Sequence, residues 1–151
     1  MNVATLYEPG ELGQRVNTND GKVHQIVVCD SGPSSVAVGD VAFWKNRLTY
    51  QVTNKQADAA EGRNAVAGMF EAIVTPGNYC SIQISGRGNV KCGATPSIGD
   101  AAVAKTGTGS DLDAVAQGTA PTCVVFGVYA GTVSSGKALV DITVGTTNLN
   151  P

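Results

Sequence analysis

Cys80 and Cys92 lie at equal distances on either side of Gly86 in the stretch YCSIQISGRGNVKC, residues 79 to 92. Alternating apolar residues lead into and out of the Gly-Arg-Gly, and this pattern predicts a hairpin that turns at Ser85 to Arg87. In that register Cys80 faces Cys92. Cys80, Ile82, Ile84, Val90 and Cys92 share the apolar side, and Ser81, Gln83 and Lys91 point outward. A structural zinc site needs two further ligands, usually in closely spaced pairs. The chain has four cysteines and one histidine, His24, five positions before Cys29, and it contains no CxxC pair. A nucleophilic cysteine needs a base beside it, and His24 is no obvious partner. Free cysteine packs as a small hydrophobe. The expectation is therefore core thiols, with a cross-strand disulfide as the alternative in an oxidising setting and a metal or redox role as the remote one.

The other candidates weaken on the same scrutiny. Asp111 and Asp113 in TGTGSDLD could offer hard oxygen ligands to Ca²⁺, but the third carboxylate and the distal Glu of an EF-hand loop are missing. They read as a solvated loop. Gly86-Arg87-Gly88 and the TGTGS run match neither GxGxxG nor a Walker loop, and neither is expected to open a helix. No pair of carboxylates is marked by its surroundings for glycosidic chemistry. Aromatic residues make up 5% of the chain, and the single indole, Trp44, stands in an apolar run, which favours core packing over a sugar-stacking platform. The sequence thus predicts no catalytic residue, no metal and no cofactor, and the chain is expected to act through its surface.

Elements that could position such a surface follow from composition and punctuation. Ten basic and 12 acidic residues give a net charge of −2 without long runs of either sign, which argues against a nucleic-acid stripe or an anionic-membrane patch. Nineteen glycines, with abundant Val, Ala and Thr, favour strands and tight turns. The first 20 residues lack the pattern of a secretory signal, and no apolar run is long enough to span a bilayer. Assembly in a reducing cytosol is expected.

Residues 1–22 are predicted as an arm with at most a short strand near Val3 to Tyr7. Val3, Leu6, Tyr7 and Leu12 are its candidate anchors at a subunit or partner interface. Residues 23–146 are predicted as the β-domain and 147–151 as a tail. Strands are expected at 23–29, 41–44, 47–53, 65–74, in the hairpin 79–92, and at 101–105, 112–116, 123–133 and 137–144. Helical turns are possible only at 56–61 and 111–116. Short strands at near-regular spacing predict an all-β fold, a small Gly-rich barrel or barrel-like sandwich.

An internal echo supports a pseudo-symmetric barrel. VGDVA at 38–42 returns as IGDAA at 98–102. GMFEAIVTPG at 68–77 returns as GVYAGTVSSG at 127–136, one position short of the same offset. SIQI at 81–84 aligns with DITV at 141–144.

From Val36 to Val144 the succession VAVGDVAFW, AVAGMFEAIVTPG, IQISGRGNV, SIGDAA and FGVYAGTVSSGKALVDITV resembles the capsid decoration, or cement, proteins of tailed bacteriophages. The long N-terminal arm and the TGTGSDLDAVAQGTAPT insertion depart from that pattern. The resemblance implies a β-barrel subunit, commonly a homotrimer, that binds the major capsid protein on the outer surface of the virion. Two rival readings are another virion β-domain, in a head fibre or tail, and a secreted carbohydrate- or surface-binding module.

Overall fold

The computed structural model describes residues 12–30, 35–107 and 109–147. Val3, Leu6 and Tyr7 lie outside the described residues. Ten strands follow one another: β1 (Arg15–Asn17), β2 (Val23–Cys29), β3 (Val41–Asn46), β4 (Gln51–Thr53), β5 (Val66–Phe70), β6 (Tyr79–Lys91), β7 (Ala101–Ala104), β8 (Leu112–Val115), β9 (Val125–Tyr129) and β10 (Lys137–Ile142). Short 3₁₀ turns at Gln56–Asp58 and Gly62–Asn64 link β4 to β5, and one helical turn, α1 (Val144–Thr147), follows β10. The fold is all-β, as the composition predicts.

Strands β2, β4, β3, β5 and β6 close a five-stranded barrel, because β6 pairs with β5 on one side and returns to β2 on the other. A second set runs β6, β10, β9, β7, β8. Its last strand comes back to the first through a parallel bridge between Leu112 and Cys92. The two units therefore share β6. Its first half, Tyr79 to Ser85, pairs with β2, and its second half, Gly86 to Lys91, pairs with β10.

The predicted hairpin is thus replaced by a single 13-residue strand. Gly86 has φ +94°, the left-handed region that glycine tolerates, but one such residue bends a strand without reversing it. A Cβ at Gly86 would press on the carbonyl oxygen of Gly21, 2.9 Å away. The Gly-Arg-Gly is the joint at which β6 leaves the closed barrel and enters the second set of strands, a barrel-like unit whose ends meet at the isolated Leu112–Cys92 bridge. Cys80 and Cys92 sit on separate sides of that joint in separate cores, so they cannot bond to each other.

The internal echo is structural. Ala42 pairs with Gly68 and Ala102 with Gly127, and in both units the register slips at the next residue. Trp44 pairs with Val52 as Ala104 pairs with Leu112. Val27 pairs with Cys80 as Val90 pairs with Ala138. For the return strand the sequence alignment is two residues out: Met69 faces Gln83, and its counterpart Val128 faces Asp141, which matches IQI at 82–84 to VDI at 140–142.

Each unit packs its own interior. Val27, Cys29, Ala42, Trp44, Val52, Phe70, Cys80, Ile82 and Ile84 fill the first, and Val90, Cys92, Ala102, Ala104, Leu112, Tyr129, Ala138, Val140 and Ile142 fill the second at corresponding positions. The outer face of the first barrel, through Val41, Phe43, Val66 and Met69, belongs to the second core. That shared burial fixes one unit against the other. Burying side chains of this size contributes roughly 1.5–3 kcal/mol each.

Part of the predicted arm belongs to the body. Arg15, Val16 and Asn17 pair with Gln25, His24 and Val23, a strand that the sequence reading does not include; the short strand expected near Val3 to Tyr7 lies outside the described residues. Leu12 is half-buried in the turn before it.

Candidate functional site

The two Gly-Asp turns are built alike. Asp40 Oδ2 accepts from Ala37 N–H at 3.0 Å, and Asp100 Oδ2 from Ser97 N–H at 2.9 Å. Gly39 N–H donates to the Phe70 carbonyl and Gly99 N–H to the Tyr129 carbonyl, both at 2.8 Å. Gly39 and Gly99 take φ of +92° and +94°. Such side-chain-to-backbone closure stiffens a turn from within. The turns lead into β3 and β7, and Val38 and Ile98 are left exposed on them.

Their surroundings differ. The Gly39 carbonyl accepts from Lys91 N–H at 2.8 Å, Val41 N–H donates to the Ser110 carbonyl at 2.8 Å, and Lys91 Nζ stands 3.8 Å from Asp40. The first turn is therefore clamped to the second barrel. At the second turn Gln117 lies across, its amide donating to the Ile98 carbonyl at 3.0 Å.

An open cleft of about 270 Å³ lies at one end of the first barrel, lined by Arg15, Gln25, Trp44, Arg47, Tyr50 and Val144 among others. Trp44 is buried, as its apolar run suggests. Its indole meets the Tyr50 ring edge-on at 6.4 Å between centroids, and the Arg47 guanidinium lies 5.8 Å from its ring. Arg47 also donates to Glu61, and Arg15 to the Gly145 carbonyl. The aromatic groups are spent on one another and on this cation, so neither presents the flat open platform that stacks on sugars.

No disulfide joins the four cysteines. Cys29 and Cys80 line the first interior, and burial, with Cys29 nearby, pushes the Cys80 thiol well above its ordinary range. Cys92 lies in the second core against Tyr129. The Tyr129 hydroxyl donates to the Asp113 carbonyl at 2.9 Å and lies 3.3 Å from Cys92 Sγ. Burial and that sulfur contact push the phenol upward too. Cys123 is the half-buried exception, with Arg63 donating to its sulfur at 3.0 Å. Asp111 faces Lys105 at 3.8 Å, and Asp113 Oδ1 accepts from Ala114 N–H, so the two carboxylates do not converge. Among the described residues no cluster of three or more His, Cys, Asp or Glu side chains is placed to hold a metal.

One polar set escaped the sequence reading. His24 Nδ1 stands 2.7 Å from Glu71 Oε2 on the outer side of β2, next to Ser81 and Gln83 of β6. The pair is close but misaligned for a hydrogen bond, and Ser81 Oγ and Gln83 Oε1 are also buried without a partner. Nucleophilic catalysis requires a serine within reach of its base and of substrate. Here the Ser81 hydroxyl makes no bond to the imidazole and is sealed from solvent. Nothing in the spacing of His24, Glu71 and Ser81 signals the set, because only the β5–β6–β2 pairing brings them together.

Compared with known proteins, the chain matches no family model, no curated protein and no solved structure.

Proposed function

We propose that this protein decorates the outside of a bacteriophage capsid, binding the major capsid protein and bridging adjacent coat subunits. The sequence resemblance from Val36 to Val144 supports this reading, and the duplicated barrel suits it. A strut must be stiff, and two units that share a strand, with the outer face of one packed into the core of the other, supply stiffness. The observation that carries most weight is the placement of large apolar side chains in water on turns of an otherwise filled body. Leu48 is 92% exposed in the β3–β4 turn, and Ile73 is 72% exposed after β5. Burying such a residue contributes roughly 1.5–3 kcal/mol, so a few of them give a weak single contact. Several copies bridging one lattice add effective concentration, and binding to the closed shell alone shifts the equilibrium toward it.

The test is to add the purified protein to expanded, undecorated shells and follow the temperature at which they rupture. Saturable binding and a higher rupture temperature are expected. Leu48→Asp and Ile73→Asp should weaken binding without changing the circular dichroism spectrum. Unchanged rupture, or glycan-dependent quenching of Trp44 in place of shell binding, would reject the reading.

A further inference from the structure

The duplication makes it possible to ask what covers a surface in one unit and leaves its counterpart bare in the other. On the first barrel, Val41 and Met69 are opposite each other on the outer face of β3 and β5, and both are buried in the core of the second barrel. Their counterparts on the second barrel are Ala101 and Val128, opposite each other on β7 and β9. Val115 of β8 extends the same row, since it pairs with Ala101. Opposed residues share a face, so Val115, Ala101 and Val128 form one apolar line across three strands. Ile98 belongs to the turn that opens β7 beside it. Val128 is 41% and Ile98 64% exposed, and Ala101 and Val115 are half-buried.

We propose that this outer face of β8–β7–β9 is a self-association surface, covered by a second copy of this chain. The argument is continuity with the contact already present inside the molecule. The same structural positions that join barrel to barrel within a chain stand open at the end of the array, and an unpaired terminal unit in a repeat architecture exposes the surface its neighbour would cover. The receiving side on the first barrel differs. There the gap that accepts Val41 in the second unit is closed by the parallel β2–β4 pairing, with Val28 N–H donating to the Tyr50 carbonyl at 3.0 Å. Copies therefore cannot add head to tail by the internal contact. The face meets its own counterpart across a twofold axis, which closes the assembly at two copies. Such a twofold contact differs from the homotrimer that the resemblance commonly implies, and it rests on the capsid reading only for its purpose.

Sedimentation velocity of the full chain at micromolar concentration, without any shell present, tests it. The wild type should sediment as one discrete oligomer. Val128→Asp and Ile98→Asp should each lower the self-affinity at least about tenfold, and together they should give monomer with an unchanged circular dichroism spectrum. Leu48→Asp, on a different turn, should leave the oligomer intact. A monomeric wild type, or a double variant with the wild-type sedimentation coefficient, overturns the proposal. If the double variant keeps the wild-type oligomer yet no longer binds shells, the face serves the coat and not a second copy. Shell binding is read separately, so failure there with an intact oligomer counts against the capsid reading alone.

Discussion

Trp44 and Ala104 occupy the same station in the two barrels, each opposite the corresponding residue of the next strand, Val52 or Leu112. The size is exchanged on β5 and β9: the first barrel has Ala67 where the second has Phe126, and both of these are buried. Each core holds one large aromatic from this pair of positions, so two units of similar backbone reach close packing by opposite choices.

The shared strand and the shared outer face predict a single cooperative unit. Phe126→Ala in the second barrel should cost about 3–5 kcal/mol. Trp44 is the only indole, so its fluorescence reports on the first barrel. In a urea titration the Trp44 transition should move to lower denaturant together with the far-UV circular dichroism transition. A Trp44 midpoint that stays at the wild-type value would mean that the barrels unfold independently.

Gly68 and Gly127 are the repeat-related glycines at the β5 and β9 crossings. A Cβ on Gly68 would lie against the Gln83 carbonyl oxygen, and one on Gly127 against the Asp141 carbonyl oxygen. Both clashes are with backbone, which cannot rotate away. Gly68→Ala and Gly127→Ala should each destabilise by about 1–3 kcal/mol, measured as a fall in the urea midpoint. Two neutral substitutions would contradict the equivalence of the crossings.

How much of this was legible in the chain follows from the range over which each signal acts. The Gly-Asp turns and the strands that follow them were readable because turn chemistry is local, and the echo at 38–42 and 98–102 carried the duplication. The path of β6 was not. A glycine with positive φ signals a departure from regular strand, and only the partners on either side of Gly86, namely β2 and then β10, decide between a bend and a reversal. Likewise Arg47 to Tyr50 forms a turn, although RLTYQVT alternates like a strand, because Tyr50 takes φ +54°. The half-buried and exposed row at Val115, Ala101 and Val128 depends on a three-strand register and could not be read from any one segment.

Thiol reactivity should follow burial. A small aromatic disulfide reagent should label Cys123 rapidly in the native protein and leave Cys29, Cys80 and Cys92 untouched until the chain unfolds. Cys123→Ser should abolish the fast phase. A fast phase that survives this substitution would show that one of the barrel interiors opens readily.

The Arg87–Asp141 pair ties β6 to β10 across directly opposed residues, with Nε donating to Oδ1 at 2.8 Å and Nη2 to Oδ2 at 3.2 Å. The hydrogen bonds from Arg87 hold the Asp141 carboxyl below its ordinary value. A depressed carboxyl contributes stability above the unfolded-state pKa of about 3.9 and loses it as pH falls through the folded value. The pair is solvent-exposed, so its contribution is small and screened by salt. Wild type should exceed Asp141→Asn in urea midpoint at neutral pH and low salt, and the gap should close on acidification below about pH 4. A gap that widens toward acid would contradict the assignment.

The central claim is attachment to a capsid lattice, and electron cryo-microscopy of particles assembled with and without this protein tests it most directly. The account predicts extra density on the outer surface at repeated lattice positions, each touching more than one coat subunit, only in particles that contain the protein. Identical shells in the two samples, or density confined to the tail or the interior, would contradict it.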